Sequence, residues 1–331
     1  MRVNSGRGAA IYDRLMGQGR KPDVDLGAVR DIADRALPGT GRPEVARTPE
    51  GTSSQIYRVH RDGKTLYVRI AEDAEDSMAI EAWVHGELRV RGVRVPEVVL
   101  VERFDERIGR SVMVTTAVAG RPIREQVDDD DPHEVLVEAG RDLARIGEVG
   151  VRGFGWVRRD EAATPLEAEL PSASSLMLQD LEGHLATLTN GTLSLEEASA
   201  IERAVERHAE VLADEPSRLA HGDFDDTHIF RSGRTYSGII DFGEIRGAPP
   251  LYDAAHYALH DHSFGPPTLP SLLEGYVDVA PLPVDLDTRI AFLALLIGVR
   301  VLAQVAGRPE PAYRRMLREG VLEATEHLSS G

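Results

Sequence analysis

The chain has 331 residues, 42% of them hydrophobic and 28% charged, which describes a folded globular protein long enough for two lobes. Cysteine is absent, so disulfides, thiolate metal centres and cysteine nucleophiles are excluded, and a reducing compartment suits the chain. A formal net charge of −17 opposes nucleic-acid binding, which needs a basic surface, and favours a cationic partner, although charge alone is better explained by solubility.

Residues 1–22 scatter Gly and Arg around Ile11, Tyr12, Leu15 and Met16 and read as an N-terminal appendage. They lack the apolar run of a secretory leader, and the longest apolar run, residues 290–299, is too short for a membrane span. That run reads as a buried helix, and a cytoplasmic protein with no membrane partner is expected.

Leu26, Val29, Ile32, Ala33, Ala36 and Leu37 recur at helical spacing, and Pro38-Gly39 stops the helix. Strands are predicted at residues 45–47, 55–61 and 64–70, the last two joined by Asp62-Gly63, a strong hairpin signal. A helix over 77–91 ends at Gly92, and Pro96 opens a strand pair through Val101 and residues 112–116. Residues 23–118 thus read as a small sheet lobe with a helix on it.

The second domain, 119–331, opens with the acidic run Asp128, Asp129, Asp130, Asp131, which suits a helix entrance better than a metal site. A helix is predicted over 134–148. Beyond Leu195 the chain reads as helical, except for one hairpin between His228 and Asp241. There is no internal repeat.

Chemistry concentrates in His221-Gly222-Asp223-Phe224-Asp225-Asp226-Thr227-His228 and in Ile240-Asp241-Phe242-Gly243-Glu244. If the hairpin closes around Arg234 and Thr235, position 228 falls opposite 241 and the Asp223 loop lies at the same sheet end. Phosphoryl transfer needs such convergence, a carboxylate beside the attacking hydroxyl and ligands holding magnesium against nucleotide phosphates. Asp223 is then a base or, equally, a turn-capping Asp. Asp241 ends an apolar strand, where a charge is costly unless it binds something, so a metal-ligand role is expected.

These residues resemble the aminoglycoside phosphotransferases and the related kinases of macrolides, hygromycin and choline. The family pattern of His-Gly-Asp, a later Asn, Ile-Asp-Phe and a further Asp is met by His221-Gly222-Asp223, His228, Ile240-Asp241-Phe242 and Asp253. The resemblance covers roughly residues 25–325 and implies an α+β, bilobal, protein-kinase-like fold with a small antiparallel-sheet N-lobe and a mainly helical C-lobe. It implies that Asp223 acts on the substrate hydroxyl, Asp241 holds Mg2+ on the phosphates, and His221 and Asp253 brace the loop. The family's usual Asn is His228 here, as in macrolide kinases, and imidazole is a poorer match to magnesium than oxygen.

In the N-lobe, the resemblance points to Gly51-Thr52-Ser53-Ser54 as the loop over the phosphates of ATP or GTP, although an ordinary polar turn fits as well. It points to Arg69 as phosphate anchor with Glu81 as its ion-pair partner, and to Val114 and Thr116 on the strand that receives the nucleotide base. The expected acceptor is a small hydroxylated cation, an aminoglycoside or hygromycin-like aminocyclitol, with a macrolide or another small alcohol as alternative. Glu244, Asp225, Asp226, His260, Asp261 and His262 are candidates to line its site.

Two other readings compete. His221 and Asp223 with His256 or His260 match the two-His, one-carboxylate triad of iron(II) oxygenases. A kinase-like regulator that binds nucleotide without transferring phosphate is the other.

Overall fold

The computed structural model describes residues 23–48, 55–125, 131–159, 165–261, 268–307 and 311–330. The appendage, Ser53, Ser54, Asp128, Asp129, Asp130 and His262 lie outside the described residues. The chain divides into two compact units, one holding the described residues of 23–87 with Pro96–Ala117 and Arg159, the other the described residues of Leu88–Val95 and Val118–Arg158 and those from 165 onward.

In the first unit, α1 (Leu26–Ala36) precedes strands β1 (Glu44–Arg47), β2 (Gln55–Arg61) and β3 (Lys64–Ile70), then α2 (Ala79–Val90), β4 (Val98–Asp105) and β5 (Arg110–Thr116). All pairs are antiparallel, in the order β1-β2-β3-β5-β4. The Asp25 carboxylate accepts from the Gly27 amide at the start of α1. The apolar stripe of α1, Val29, Ile32 and Ala33, meets Tyr57, Val59, Val68, Ile70, Val112 and Val114 in one core. Full burial of each large side chain there stabilises by about 2 kcal/mol. Asp62 and Gly63 turn β2 into β3 with φ of 50° and 77°, the left-handed pair that matches strand twist.

The second unit begins with β6 (Arg121–Pro122), α3 (His133–Ile146), β7 (Val151–Arg152), β8 (Phe154–Val157) and β9 (Leu166–Leu170). Helices α4 (Ala173–Met177), α5 (Leu181–Leu188) and α6 (Leu195–His208) follow, then strands β10 (Arg218–Ala220), β11 (Ile229–Ser232), β12 (Thr235–Ile239) and β13 (Arg246–Ala248). Helices α7 (Tyr252–His260), α8 (Leu269–Val277), α9 (Leu286–Val305) and α10 (Pro311–Ser330) complete it. Asp131 accepts the His133 amide hydrogen at 3.0 Å, at the mouth of α3 where the acidic run was expected to sit.

Beyond Leu195 the expectation of a single hairpin is corrected. Strands β10 and β13 pair with each other, and β13 also pairs with β8 in a five-stranded sheet of order β10-β13-β8-β9-β7. These strands have three residues each, too few to show alternation, and β13 contains Gly247.

Helix α9 runs twice as far as the apolar stretch that signalled it and is long and apolar enough, among the described residues, to cross a membrane; 61% of its apolar window is buried inside the protein. It packs against α10 and α7, and Gly298 lets them approach: a Cβ there would stand 2.7 Å from Val321 Cγ2. Helices α3 and α8 meet more closely still. A Cβ on Gly140 would lie 1.9 Å from the Leu272 carbonyl oxygen, and one on Gly275 1.7 Å from that of Val137.

Candidate active site

Strand β10 leads directly into the loop 221–228, and the loop is held from behind by α7. The Asp253 carboxylate accepts from two successive amides, His221 at 2.7 Å and Gly222 at 2.9 Å. Burial dominates this carboxyl and raises its pKa to about 6 against the pull of those two hydrogen bonds. Gly222 has φ +89°, and a Cβ would stand 2.0 Å from the Glu244 carbonyl oxygen, so no other residue fits the turn.

His221 is fully buried. Its Nε2 hydrogen goes to the Ile240 carbonyl at 2.8 Å, and its Nδ1 accepts the Asp223 amide hydrogen at 3.3 Å. Burial and the neighbouring His228 hold its pKa down to about 4, so the neutral ring serves as a strut. Both nitrogens are engaged with backbone, which corrects the iron(II) triad reading: His221 has no lone pair left to offer a metal. No group of three or more His, Asp or Glu residues converges as a metal centre among the described residues.

Beyond the buried Phe224, the side chains separate into braced and presented groups. Asp225 accepts from the Thr227 amide at 2.8 Å, from the Thr227 hydroxyl, and from His228 Nδ1 at 3.1 Å. Burial opposes its charge, but the His228 and Thr227 hydrogen bonds prevail and hold its carboxyl far below the usual range. The same pair drives His228 the other way: burial would lower it, yet the hydrogen bond and charge of Asp225, with Asp223 and Asp241, push it up to about 9. Asp226 faces Arg124 Nε at 3.3 Å, and burial raises its pKa.

The hairpin differs from the predicted register by one position. It turns at Gly233-Arg234 with Ser232 opposite Thr235, and Ser237 is an extra residue that bulges β12. Position 228 therefore faces 240, whose amide donates to the His228 carbonyl at 3.1 Å. Asp241 falls just past the ladder at φ +64°, a conformation disfavoured for residues with a Cβ and concentrated at functional positions. From there its Oδ2 returns to 4.0 Å from His228 Nε2, with the side chain 46% exposed. Asp142 on α3 steadies the hairpin by accepting from Tyr236 Oη at 3.0 Å.

Asp223 is presented likewise. Its side chain is 47% exposed, and Oδ1 lies 3.6 Å from His256 Nε2. Glu244, in contrast, is tied to Arg246, whose Nη2 donates to Oε2 at 2.9 Å. The Arg246 guanidinium lies 4.7 Å from the Trp156 ring centroid and 5.5 Å from that of Tyr252, so it is a packed structural cation. Asp261 accepts from the Thr268 and Leu269 amides at the start of α8. Glu244 and Asp261 thus each hold an internal partner, and the Glu244 side chain is 37% exposed.

In the first unit, Arg69 donates from Nη1 to Glu81 Oε1, with Arg69 8% and Glu81 0% exposed. His85, one helical turn beyond Glu81, stands 4.0 Å from Oε1, and Arg159 Nη1 lies 3.9 Å from Oε2. Val114 sits in the middle of β5, paired with Val68 on one side and Leu100 on the other, so its backbone is taken up by the sheet. Thr116 at the strand end exchanges hydrogen bonds with Glu97, through its amide and its hydroxyl, both at 2.9 Å.

Sequence reasoning did not single out His85, Arg246 or the contact of His256 with Asp223. His85 was accessible, since it lies at the i+4 position from Glu81 on one helix face. Arg246 gave no signal, because its cage of Trp156 and Tyr252 comes from separate elements.

The family model described as the phosphotransferase enzyme family matches residues 44–287. No curated protein sequence matches significantly. Among solved structures, a thermostable mutant of aminoglycoside phosphotransferase APH(4)-Ia in a ternary complex with AMP-PNP and hygromycin B is similar, at TM-score 0.65 and 13% identity over 92% of this chain and 99% of that one. A putative aminoglycoside phosphotransferase from Ralstonia eutropha has TM-score 0.62 and 15% identity over 93% and 99%. A putative fructosamine-3-kinase from Thermobifida fusca has TM-score 0.60 and 22% identity over 90% and 99%. The fold is thus the mixed α+β, protein-kinase-like fold of the aminoglycoside phosphotransferases, and the match over residues 44–287 makes this chain a member of the phosphotransferase enzyme family, a small-molecule kinase.

Proposed function

We infer that this kinase moves the terminal phosphoryl group of ATP or GTP, bound with magnesium, to a hydroxyl of an aminoglycoside or hygromycin-like acceptor. One observation carries the reading: Asp223 and Asp241 are half exposed and stand on a loop and a hairpin that are braced together by His221, whose ring spans from the Asp223 amide to the Ile240 carbonyl. Asp223 is the base for the acceptor hydroxyl. Arg69, fixed by Glu81, is the phosphate anchor of the first unit, and the strand end at Thr116 receives the base.

Magnesium takes oxygen ligands, commonly one or two carboxylates together with substrate phosphates and water, and the exposed Asp241 carboxylate fits that set. His228 fits it poorly. Its Nδ1 is held by Asp225 and its raised pKa leaves a hydrogen on Nε2, so His228 is a donor toward Asp241 and toward phosphate oxygens instead of a ligand. Bound magnesium supplies charge neutralisation on the transferring phosphates.

The net charge of −17 supports a cationic acceptor through long-range attraction. Asp225, Asp226, Glu244 and Asp261 act through that field, since each already holds an internal partner. The complex of APH(4)-Ia with hygromycin B supports the acceptor class. A second reading, phosphorylation of a sugar amine of the fructosamine type, draws on the likeness to the Thermobifida fusca protein. A macrolide acceptor is the alternative that His228 keeps in view.

The test is a panel of aminoglycosides, hygromycin B, macrolides and fructosamines with MgATP or MgGTP, read as nucleoside diphosphate release. Stimulation by an aminoglycoside or hygromycin B is expected. If only fructosamines or macrolides stimulate release, the acceptor class is wrong; if none does, the small-molecule acceptors named here all fall.

A further inference from the structure

His256 reaches Asp223 from α7, and its ring is buried, with 4% exposed. Its Nδ1 stands 3.1 Å from the Phe224 carbonyl oxygen. A carbonyl only accepts, so the ring hydrogen sits on Nδ1 and Nε2 turns toward the Asp223 carboxylate, 3.6 Å from Oδ1. The charged and titratable groups around the ring are His260 on the same helix, with ring centroids 4.9 Å apart, Asp225 on the loop and Arg246 on β13. Burial and the repulsion of His260 outweigh the attraction of Asp225 and hold the pKa down to about 3. The ring is therefore neutral in ordinary buffers and offers Asp223 a lone pair.

A lone pair beside an ionised carboxylate repels it, whereas beside a carboxylic acid it accepts the acid hydrogen. We propose that His256 is a positioning residue for Asp223, its Nε2 accepting an Oδ1–H···Nε2 hydrogen bond once Asp223 has taken a proton. The inference rests on the reading of Asp223 as base. Half exposure leaves the Asp223 side chain room for the rotation that the proposal requires to close the 3.6 Å gap.

In the transfer step, the acceptor hydroxyl proton passes to the Asp223 carboxylate and the hydroxyl oxygen forms the new bond to the terminal phosphorus. The bond from that phosphorus to the bridging oxygen breaks, and its electron pair leaves with the nucleoside diphosphate. His256 then holds the proton on Asp223 until it is lost to solvent.

The full-length protein tests this with water as acceptor and MgATP as donor, read as phosphate release, alongside 15N NMR of labelled histidines, His256 being assigned by its loss in His256→Phe. Nε2 is expected to be unprotonated at neutral pH. His256→Phe should slow release about tenfold with the ATP KM within about twofold, and His256→Gln, whose amide oxygen accepts, should recover most of it. A hydrogen on Nε2, release in His256→Phe within about twofold of the parent while Asp223→Ala abolishes it, or equal damage from Phe and Gln, overturns the assignment. Release that survives Asp223→Ala removes the base reading itself.

Discussion

Acid should destabilise this protein through His256, and His256→Phe isolates the effect. The folded pKa is depressed from 6.5 to about 3, burial being the main cause, so the unfolded chain binds the proton more readily. Stability from this group is present above 6.5 and is lost as pH falls from there toward 3. Between pH 7 and pH 5 the loss is about 2 kcal/mol, taking about 1.4 kcal/mol per pKa unit over the 1.5 units from 6.5 to 5. Asp253 runs the other way. Its pKa is raised to about 6, so the folded state gains protons, and stability, as pH drops through 6 toward the ordinary carboxylate value. The parent protein alone would therefore show a muted slope, and the difference between parent and variant is the informative quantity. Urea unfolding of both at pH 7 and pH 5 should show the parent losing about 2 kcal/mol more than His256→Phe. Equal losses in the two proteins would refute the neutral, buried state assigned to this ring.

Asp223→Ala should lower phosphate transfer by about a hundredfold or more while circular dichroism and melting temperature stay near the parent's, because the side chain is half exposed and its removal opens no cavity. Chelation of divalent cations should abolish transfer, with recovery on adding magnesium; transfer that persists in excess chelator would contradict the role given to Asp241. Glu81→Gln takes the carboxylate from a buried guanidinium and should cost about 3 kcal/mol in denaturant unfolding while raising the KM for nucleotide. Gly275→Ala forces a methyl against the Val137 carbonyl and should cost about 3 kcal/mol, measured the same way, or prevent folding; a neutral substitution would mean that α3 and α8 separate more easily than their contact implies.

The elements visible in the sequence are those with a local cause. The helical stripe of α1 with its Pro38-Gly39 stop, the Asp62-Gly63 turn between β2 and β3, and the apolar centre of α9 each follow from periodicity or turn chemistry within a dozen neighbouring residues. The two short strands β10 and β13 have no such cause. They exist because the chain on either side of the site is drawn into one sheet with β8. The register of the hairpin differs by one because the turn falls at Gly233-Arg234, one residue earlier than the predicted closure, which alone would shift the pairing by two, and the extra residue Ser237 restores one position, a bulge that no turn residue announces.

The order and spacing of His221, Asp223, His228, Asp241 and Asp253 mark the family and can be read without coordinates, because catalysis of this kind draws its groups from one loop and one hairpin. Which of the acidic residues are presented and which are held is another matter. Asp225, Glu244 and Asp261 look alike in the chain, yet Asp225 is claimed by His228, Glu244 by Arg246 and Asp261 by the amides of α8. Those attachments, like the approach of His256 to Asp223, depend on where separate elements come to rest, and electrostatic state follows burial and neighbours, which only the folded chain supplies.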